Sequence, residues 1–129
     1  MKIAIIGSRE FPDLAWVREF VFSLPTDTEI VSGECKIGVD RIAKEVAIQR
    51  GFVYTPFPAE WRKYPGNSAA AIRNRKIVEY SDLVVAFWDK QSKGTRMVLR
   101  FCLELNRSFR VYVIENGERV YYIRRIPRL

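Results

Sequence analysis

Short runs of aliphatic and β-branched residues alternate along this chain with longer amphipathic segments, and this alternation constrains the fold more than any other feature. The short runs predict strands, and the longer segments, with apolar residues at helical spacing, predict helices. The predicted strands are Lys2–Ile6, Glu29–Ser32, Phe52–Phe57, Leu83–Phe87, Arg110–Ile114 and, after an Asn-Gly turn, Arg119–Ile123. This pattern is typical of stacked βαβ units.

Residues that start and stop helices lie between these runs. Pro12 fits the first position of a helix whose apolar stripe ends before Pro25. The further predicted helices run from Val39 to Arg50 with Gly51 as cap, from Asn67 or Ser68 to about Ser81, and from Gly94-Thr95 to Leu105. The segment from 58 to 66 is irregular, and Trp61 and Tyr64 are expected to anchor it.

The order of these elements predicts a three-layer α/β fold, in which helices cover both faces of a mostly parallel sheet. We expect the strand order 3-2-1-4-5 with an antiparallel hairpin at the C-terminal edge, and one Rossmann-like domain over residues 1–129. Ligands of such sheets bind beyond the carboxyl ends of the strands, where the winding direction switches. The loops at 7–9, 33–40 and 88–95 are therefore expected to surround one crevice.

The chain has no histidine and only two cysteines, Cys35 and Cys102, which disfavours several kinds of active site. Most catalytic triads, zinc sites and near-neutral general bases use histidine or clustered cysteines. We therefore expect no metal site of that kind and no required cofactor, although magnesium held by carboxylates stays open. The sequence shows no signal peptide and no membrane-spanning stretch, so we expect a cytoplasmic protein without a membrane partner.

The net charge of +7 favours an anionic partner, either a small phosphorylated ligand or a nucleic acid. From Asn106 to the end the chain carries six arginines and two glutamates. A solvated edge is the commoner explanation of such a segment, and a nucleic-acid stripe is the alternative. Formation of a homo-oligomer through a sheet edge or a helix face also stays open.

Three glycine-bearing turns follow predicted strands and supply groups that bind phosphate. The first turn offers a hydroxyl and a guanidinium, and the other two open helices whose free amides attract anions. Each turn would also serve as a plain connection or cap, and their convergence favours a binding role. The candidate ligand-binding residues in the turns are Gly7, Ser8, Arg9, Gly33, Cys35, Lys36, Gly38, Gly94 and Thr95.

These glycines form neither of two familiar nucleotide-binding motifs. Gly33 and Gly38 have the separation of a P-loop, but Val39-Asp40 stands where that motif needs Lys-Ser or Lys-Thr. A Gly-x-Gly-x-x-Gly fingerprint is also missing, which disfavours an ordinary dinucleotide dehydrogenase. Without a histidine base, a nucleophilic role for Cys35 is disfavoured. Asp40 is expected either to cap the second helix or to contact a ligand.

The third predicted helix places polar residues on the face that should be buried. At roughly 100° per residue, Ala70, Asn74, Ile77 and Ser81 share one face, with Arg73 at its margin. A buried asparagine needs hydrogen-bond partners, which are backbone groups in a structural role and a ligand in a functional one. We predict that Arg73 and Asn74 reach a ligand or brace the loops that hold it.

Four short segments occur in the order and strand-helix context of a known family. They are Gly7-Ser8-Arg9, Ser32 to Ala43, Arg73-Asn74-Arg75 ahead of Tyr80-Ser81-Asp82, and Gly94-Thr95. Over about Met1 to Leu105 the chain resembles the SLOG superfamily, named for the DNA-processing protein DprA/Smf and the cytokinin-activating enzyme LOG. Within it the chain is most similar to the small stand-alone YspA/YpsA-related members. The resemblance implies a Rossmann-like fold and a pocket for a nucleotide or nucleotide-sugar ligand.

Two positions depart from the pattern of that superfamily. Glu34 stands where a second glycine often follows Ser32-Gly33. A carboxylate there repels phosphate unless it points away, or it is a catalytic acid. The LOG branch has a glutamate three residues after the threonine of its glycine-rich motif, and here that position is Val98.

We therefore expect a domain that binds or senses a nucleotide or a nucleotide-derived phosphorylated ligand. The first alternative is a LOG-like phosphoribohydrolase that cleaves N-glycosidic or phosphoester bonds of nucleotides, with Glu34 or Asp40 as catalytic acid or base and Arg73 on the phosphate. The second alternative is DprA-like binding of single-stranded nucleic acid through the arginine-rich C-terminal segment and exposed aromatic side chains.

Overall fold

A computed structural model of the chain describes residues 1–66 and 68–128, and its strands and helices alternate as the sequence predicts. The strands are β1 (Lys2–Gly7), β2 (Glu29–Ser32), β3 (Val53–Pro56), β4 (Leu83–Phe87), β5 (Ser108–Glu115) and β6 (Glu118–Ile123). The helices are α1 (Leu14–Phe22), α2 (Val39–Arg50), α3 (Ser68–Tyr80) and α4 (Lys93–Glu104).

The strands form one six-stranded sheet in the order β3-β2-β1-β4-β5-β6. Strands β1 to β5 run parallel, and β6 pairs antiparallel with β5 at the edge. The predicted strand order and the edge hairpin are both confirmed. The hairpin turn is Asn116-Gly117, where both residues have positive φ, of 51° and 77°, as a two-residue type I′ turn requires.

Each face of the sheet has its own apolar core, because successive side chains of a strand point to opposite faces. In β1, Ile3 and Ile5 pack under α1 and α2, while Ala4 and Ile6 pack under α3 and α4. The inner strands β1 and β4 are buried on both faces, which explains their near-continuous apolar sequences. On the α3–α4 side the core also contains Val78, Val84, Ala86, Val98, Leu99, Cys102 and Phe109.

The first helix starts later than the sequence suggested. It begins at Leu14, because the carboxylate of Asp13 accepts the backbone N–H of Trp16 at 3.1 Å and so acts as the N-cap. Pro12 precedes this cap, and its prediction as the first helical residue is wrong. The helix ends at Phe22, ahead of Pro25 as expected.

The remaining helix boundaries follow local capping chemistry. Gly51 ends α2 in the left-handed conformation, with a φ of 72°, as predicted. Ser68 is the first residue of α3, and Asn67, the alternative cap, lies outside the described residues. Ser92 caps α4, since its Oγ accepts the N–H of Thr95 at 3.3 Å. Over 1–66 and 68–128, no helix combines the length and apolarity needed to cross a membrane.

The connection between β3 and α3 is anchored differently from the prediction. Trp61 does not anchor this segment, because 61% of its surface is exposed. The segment is instead held by a turn, in which the carbonyl of Glu60 accepts the N–H groups of Lys63 and Tyr64, and by an ion pair of 3.5 Å between Glu60 and Lys76 of α3. Tyr64 is partly buried, in keeping with an anchoring role.

Candidate functional site

A cavity of about 440 Å³ lies at the carboxyl ends of β1, β2 and β4. The loops that follow these three strands contribute to its wall, together with α3 and the start of α4. The three loops expected to meet at one crevice therefore do so. The polar residues of the wall are Arg9, Glu10, Cys35, Asp40, Arg73, Asn74, Asp89, Ser92 and Thr95, and the glycines are Gly7, Gly33 and Gly94.

Four of the predicted site residues lie outside this wall, as far as the described residues show. They are Ser8, Glu34, Lys36 and Gly38. Ser8 is 1% exposed, and its Oγ accepts the backbone N–H of Asp89 at 3.0 Å. Its own N–H donates to the carbonyl of Phe87 at 3.0 Å. Ser8 thus fastens the loop after β1 to the loop after β4 and supports the cavity from beneath.

Gly38 is a glycine because two backbones meet there. Its φ is +76°, and a Cβ at this position would lie 2.6 Å from the carbonyl oxygen of Arg9. The start of α2 can therefore approach the loop after β1 only without a side chain. Gly94 differs, because a Cβ there would meet nothing within 4 Å. The start of α4 is consequently open towards the cavity.

Glu34 points away from the cavity. The residue has a positive φ of 60°, and its carboxylate forms an ion pair of 3.3 Å with Nζ of Lys44 on α2. Of the two outcomes expected for a carboxylate in this loop, the structure therefore has the one in which the side chain points away, although its charge still helps to raise the pKa of Asp40 in the wall. Lys36 is exposed beside it and also does not reach the wall.

Arg73 of α3 reaches across the cavity to the loop after β2. Its Nη1 donates to the carbonyl of Gly33 at 2.6 Å, and its Nε donates to Oδ1 of Asn74 at 2.7 Å. Asn74 is 6% exposed, as its helical spacing predicts, and its Nδ2 faces the sulfur of Met97 at 3.7 Å. Burial lowers the pKa of the Arg73 guanidinium, while the charge of Asp40 opposes that change.

Asp40 does not cap α2, because Gly38 is the N-cap residue and no side chain caps this helix. Its Oδ2 instead accepts the N–H of Cys35 at 3.1 Å, within the loop. Asp40 is only 8% exposed, and burial raises the pKa of its carboxyl from the ordinary 3.8 to about 6. The Cys35 amide and the charge of Arg73 oppose this rise without overcoming it.

The loop after β4 supplies a second carboxylate that sequence reasoning missed. Oδ1 of Asp89 accepts the N–H groups of Gln91 and Ser92, both at 2.8 Å. Burial alone would raise the pKa of Asp89, but these amide bonds together hold it below the ordinary value. Asp89 follows Trp88 directly after β4, so its place at a strand end was a signal available in the sequence.

Charges of both signs face the cavity. Two guanidinium groups, from Arg9 and Arg73, are set against three carboxylates, from Glu10, Asp40 and Asp89. Within the two described ranges, no three carboxylate, cysteine or histidine side chains lie close enough to hold a metal ion. Guanidinium and helix-terminal amides bind phosphate, and carboxylates accept hydrogen bonds from hydroxyl groups.

A parallel sheet wound in this order, with a polar cavity where the winding switches, places the chain in the Rossmann-like class of α/β domains. Residues 1–64 match the model of the YAcAr family, the YspA, cpYpsA-related SLOG family. This match confirms the resemblance to the SLOG superfamily that the motifs predict.

Two solved structures of DNA processing protein A have a similar fold. The protein from Streptococcus pneumoniae is 21% identical, with a TM-score of 0.72 over 89% of this chain and 50% of that one. The protein from Helicobacter pylori is also 21% identical, with a TM-score of 0.61 over 90% of this chain and 66% of that one. It is described with a single-stranded DNA binding mode.

This chain therefore spans about half the length of the Streptococcus pneumoniae protein. At 21% identity, both likenesses show the fold alone. The sequence matches none of the curated proteins with which it was compared.

Proposed function

We propose that the cavity binds a nucleotide or a nucleotide-derived ligand through its phosphate and its ribose. The observation that carries this proposal is the convergence of two guanidinium groups and three carboxylates in one cavity of about 440 Å³. Pockets for small molecules typically enclose roughly 300–1,000 Å³ and contain a few convergent polar groups. The match of residues 1–64 to a SLOG family model supports the same class of ligand.

The phosphate would bind between Arg9 and the start of α4. Arg9 is exposed at the wall, and among the described residues its side chain has no hydrogen bond or ion pair. Within the same part of the chain, the backbone N–H groups of Lys93 and Gly94 have no acceptor. They lie at the positive end of the helix dipole, which attracts anions. A phosphate in this place satisfies donors that otherwise face solvent.

The ribose would bind near the carboxylates. Oδ2 of Asp89 has no donor among the described residues, and Asp89 and Asp40 are part of the wall. Carboxylate oxygens accept hydrogen bonds from vicinal hydroxyls, and they repel any second phosphate. The mixed charge of the cavity therefore favours a ligand with one phosphate and free hydroxyls over a polyphosphate.

The test is calorimetric titration of the purified protein with AMP, ADP-ribose and NAD. We expect AMP to bind, and Arg9→Ala to weaken its binding about 10- to 100-fold, the range for loss of a charged hydrogen bond. Arg100→Ala is the matched control, because Arg100 is exposed on α4 and is not part of the wall. Absence of binding by all three compounds, or equal loss in both variants, would refute the proposal.

Binding of single-stranded DNA is the second candidate, and the fold shared with the Helicobacter pylori protein favours it. The basic C-terminal segment would contact phosphates, but part of its charge is already neutralised. Arg119 pairs with Asp13 and Glu19, each at 2.7 Å. A gel-shift series with an oligonucleotide tests this function, since binding should fall steeply with salt. No shift even at low salt would remove it.

Hydrolysis of the ligand is a third candidate, and the buried Asp40 favours it. A carboxyl group with a pKa of about 6 in a cavity can exchange a proton near neutral pH, as general acid–base catalysis requires. Glu34 is poorly placed for this role, because it pairs with Lys44 outside the wall. Chromatography of AMP incubated with the protein should show product formation that Asp40→Asn abolishes and Glu34→Gln leaves intact. Absence of product from the wild type would refute this candidate.

A further inference from the structure

We infer that Trp61 is the stacking surface for the nucleobase of the ligand, at the mouth of the cavity. The inference rests on the proposed function, because it assigns the third part of the same nucleotide. Trp61 is part of the cavity wall, on the segment between β3 and α3. Its side chain is 61% exposed, so most of the indole surface is free to make a contact.

The chain has three tryptophans, and the other two have structural roles. Trp16 packs against the rings of Phe87 and Tyr112, with centroids 5.7 and 5.0 Å away. Trp88 is buried in the core, and its Nε1 donates to the carbonyl of Ser92 at 3.1 Å. Among the described residues Trp61 takes part in no aromatic pair, no cation–π contact and no side-chain hydrogen bond. Packing within the described chain therefore does not account for it.

The position of Trp61 is set by its neighbours. Glu60, the residue before it, pairs with Lys76 on α3, one helical turn beyond Arg73. The carbonyl of Glu60 also accepts the two amides that close the turn after Trp61. The indole is thus held beside the same helix that sends Arg73 into the cavity. A ligand whose phosphate lies at the start of α4 would extend its other end towards this segment.

Among the described residues, the wall offers the base no aromatic partner besides Trp61. The cavity residues beside Trp61 are guanidinium groups, carboxylates, small residues and aliphatic side chains. Stacking on an aromatic ring stabilises a bound base by about 1–3 kcal/mol on alanine substitution, which is roughly a 5- to 150-fold change in affinity. Every base has a π-face, so an exposed indole should accept purines and pyrimidines alike.

The experiment compares AMP with ribose 5-phosphate, which lacks the base, by calorimetric titration of the full chain. We expect Trp61→Ala to weaken AMP binding at least about 5-fold and to leave the affinity for ribose 5-phosphate unchanged. Trp61→Phe should keep most of the AMP affinity, because it keeps an aromatic face. Tyr121→Ala is the control, since Tyr121 is an exposed aromatic on β6 that is not part of the cavity wall.

Two results would overturn the inference while leaving the proposed function intact. One is AMP binding that Trp61→Ala does not weaken. The other is an equal loss for AMP and ribose 5-phosphate in that variant, because such a loss indicates a disturbed segment. If the wild-type protein binds neither compound, this inference fails, and titration with ADP-ribose and NAD then decides whether the proposed function fails with it. Thermal unfolding of each variant shows whether the fold is retained.

Discussion

Replacing Asp40 with asparagine should change how the stability of the fold depends on pH. The folded chain holds the Asp40 carboxyl with a pKa of about 6, against an ordinary value of 3.8. A shift of this size corresponds to about 3 kcal/mol by the linkage relation. Asparagine has nearly the same shape and can accept the Cys35 amide through its Oδ1, but it does not titrate.

The sign follows from which state binds the proton more tightly. Because burial raises the pKa in the folded state, that state holds the proton between about pH 4 and pH 6 while the unfolded chain releases it. The contribution of Asp40 to stability is therefore greatest below pH 4 and is lost as pH rises through 6. Asp40→Asn does not suffer this loss, so it gains stability relative to wild type on going to neutral pH.

Urea denaturation of both proteins at several values between pH 4 and pH 7.5 measures the effect. We expect the free energy of unfolding of Asp40→Asn, minus that of wild type, to rise by about 2.5 kcal/mol over this range, since a small part of the change occurs below pH 4. Asp27→Asn removes the same charge from an exposed turn and serves as the control. A difference between Asp40→Asn and wild type that stays constant within about 0.5 kcal/mol would refute the assigned burial penalty.

Four further substitutions test separate parts of the structure. Gly38→Ala should cost at least about 2 kcal/mol in urea denaturation, because its positive φ is a glycine conformation and its Cβ would meet a backbone carbonyl. Gly94→Ala should change stability by less than about 1 kcal/mol and should weaken AMP binding. Equal unfolding free energies for Gly38→Ala and Gly94→Ala would contradict the two stability expectations. Glu34→Gln should change stability by less than about 1 kcal/mol, because its pair with Lys44 is partly exposed, and titration should give the wild-type AMP affinity. Leu99→Ala should cost about 2–5 kcal/mol, since this side chain is fully buried between α4 and the sheet; a midpoint in urea close to that of wild type would show that the core can collapse around the gap.

The fold could be predicted because its signals are local or topological. Asn116-Gly117 specifies its turn through two residues that tolerate positive φ. The apolar run of β1 and the crossover rule together fix a central strand with neighbours on both sides. The start of α1 was missed because Asp13 and Pro12 are both helix-start signals, and only the Asp13 hydrogen bond to Trp16 decides between them.

The candidate site was predicted less completely, for two physical reasons. Which loops meet depends on strand order, but where each side chain points depends on loop backbone angles that the sequence does not reveal. Glu34, with φ at 60°, turns towards Lys44 and leaves the cavity. The second reason is that Glu10 and Asp89 belong to no recognisable motif, so the sequence does not single them out, although both are part of the wall.

Trp61 was misplaced for a similar reason, because hydrophobicity alone suggests burial. In the structure the preceding Glu60 pairs with Lys76 of α3, and the indole itself lies outside the core, 61% exposed. An exposed tryptophan indicates a binding contact only once the structure shows that it lies in the wall of a cavity.

The pairing of β1 with β4 has a consequence for how the chain acquires its fold. Ile3 lies beside Leu83, and the N–H of Lys2 donates to Asp82 across 80 residues of sequence. Until β4 arrives, β1 has one unpaired edge formed by a continuous apolar segment, which is a template for association with other chains. Such distant pairing also slows folding. A fragment that ends before Leu83 should therefore aggregate rather than fold. In the full chain, the α1–α2 layer and the α3–α4 layer should form together.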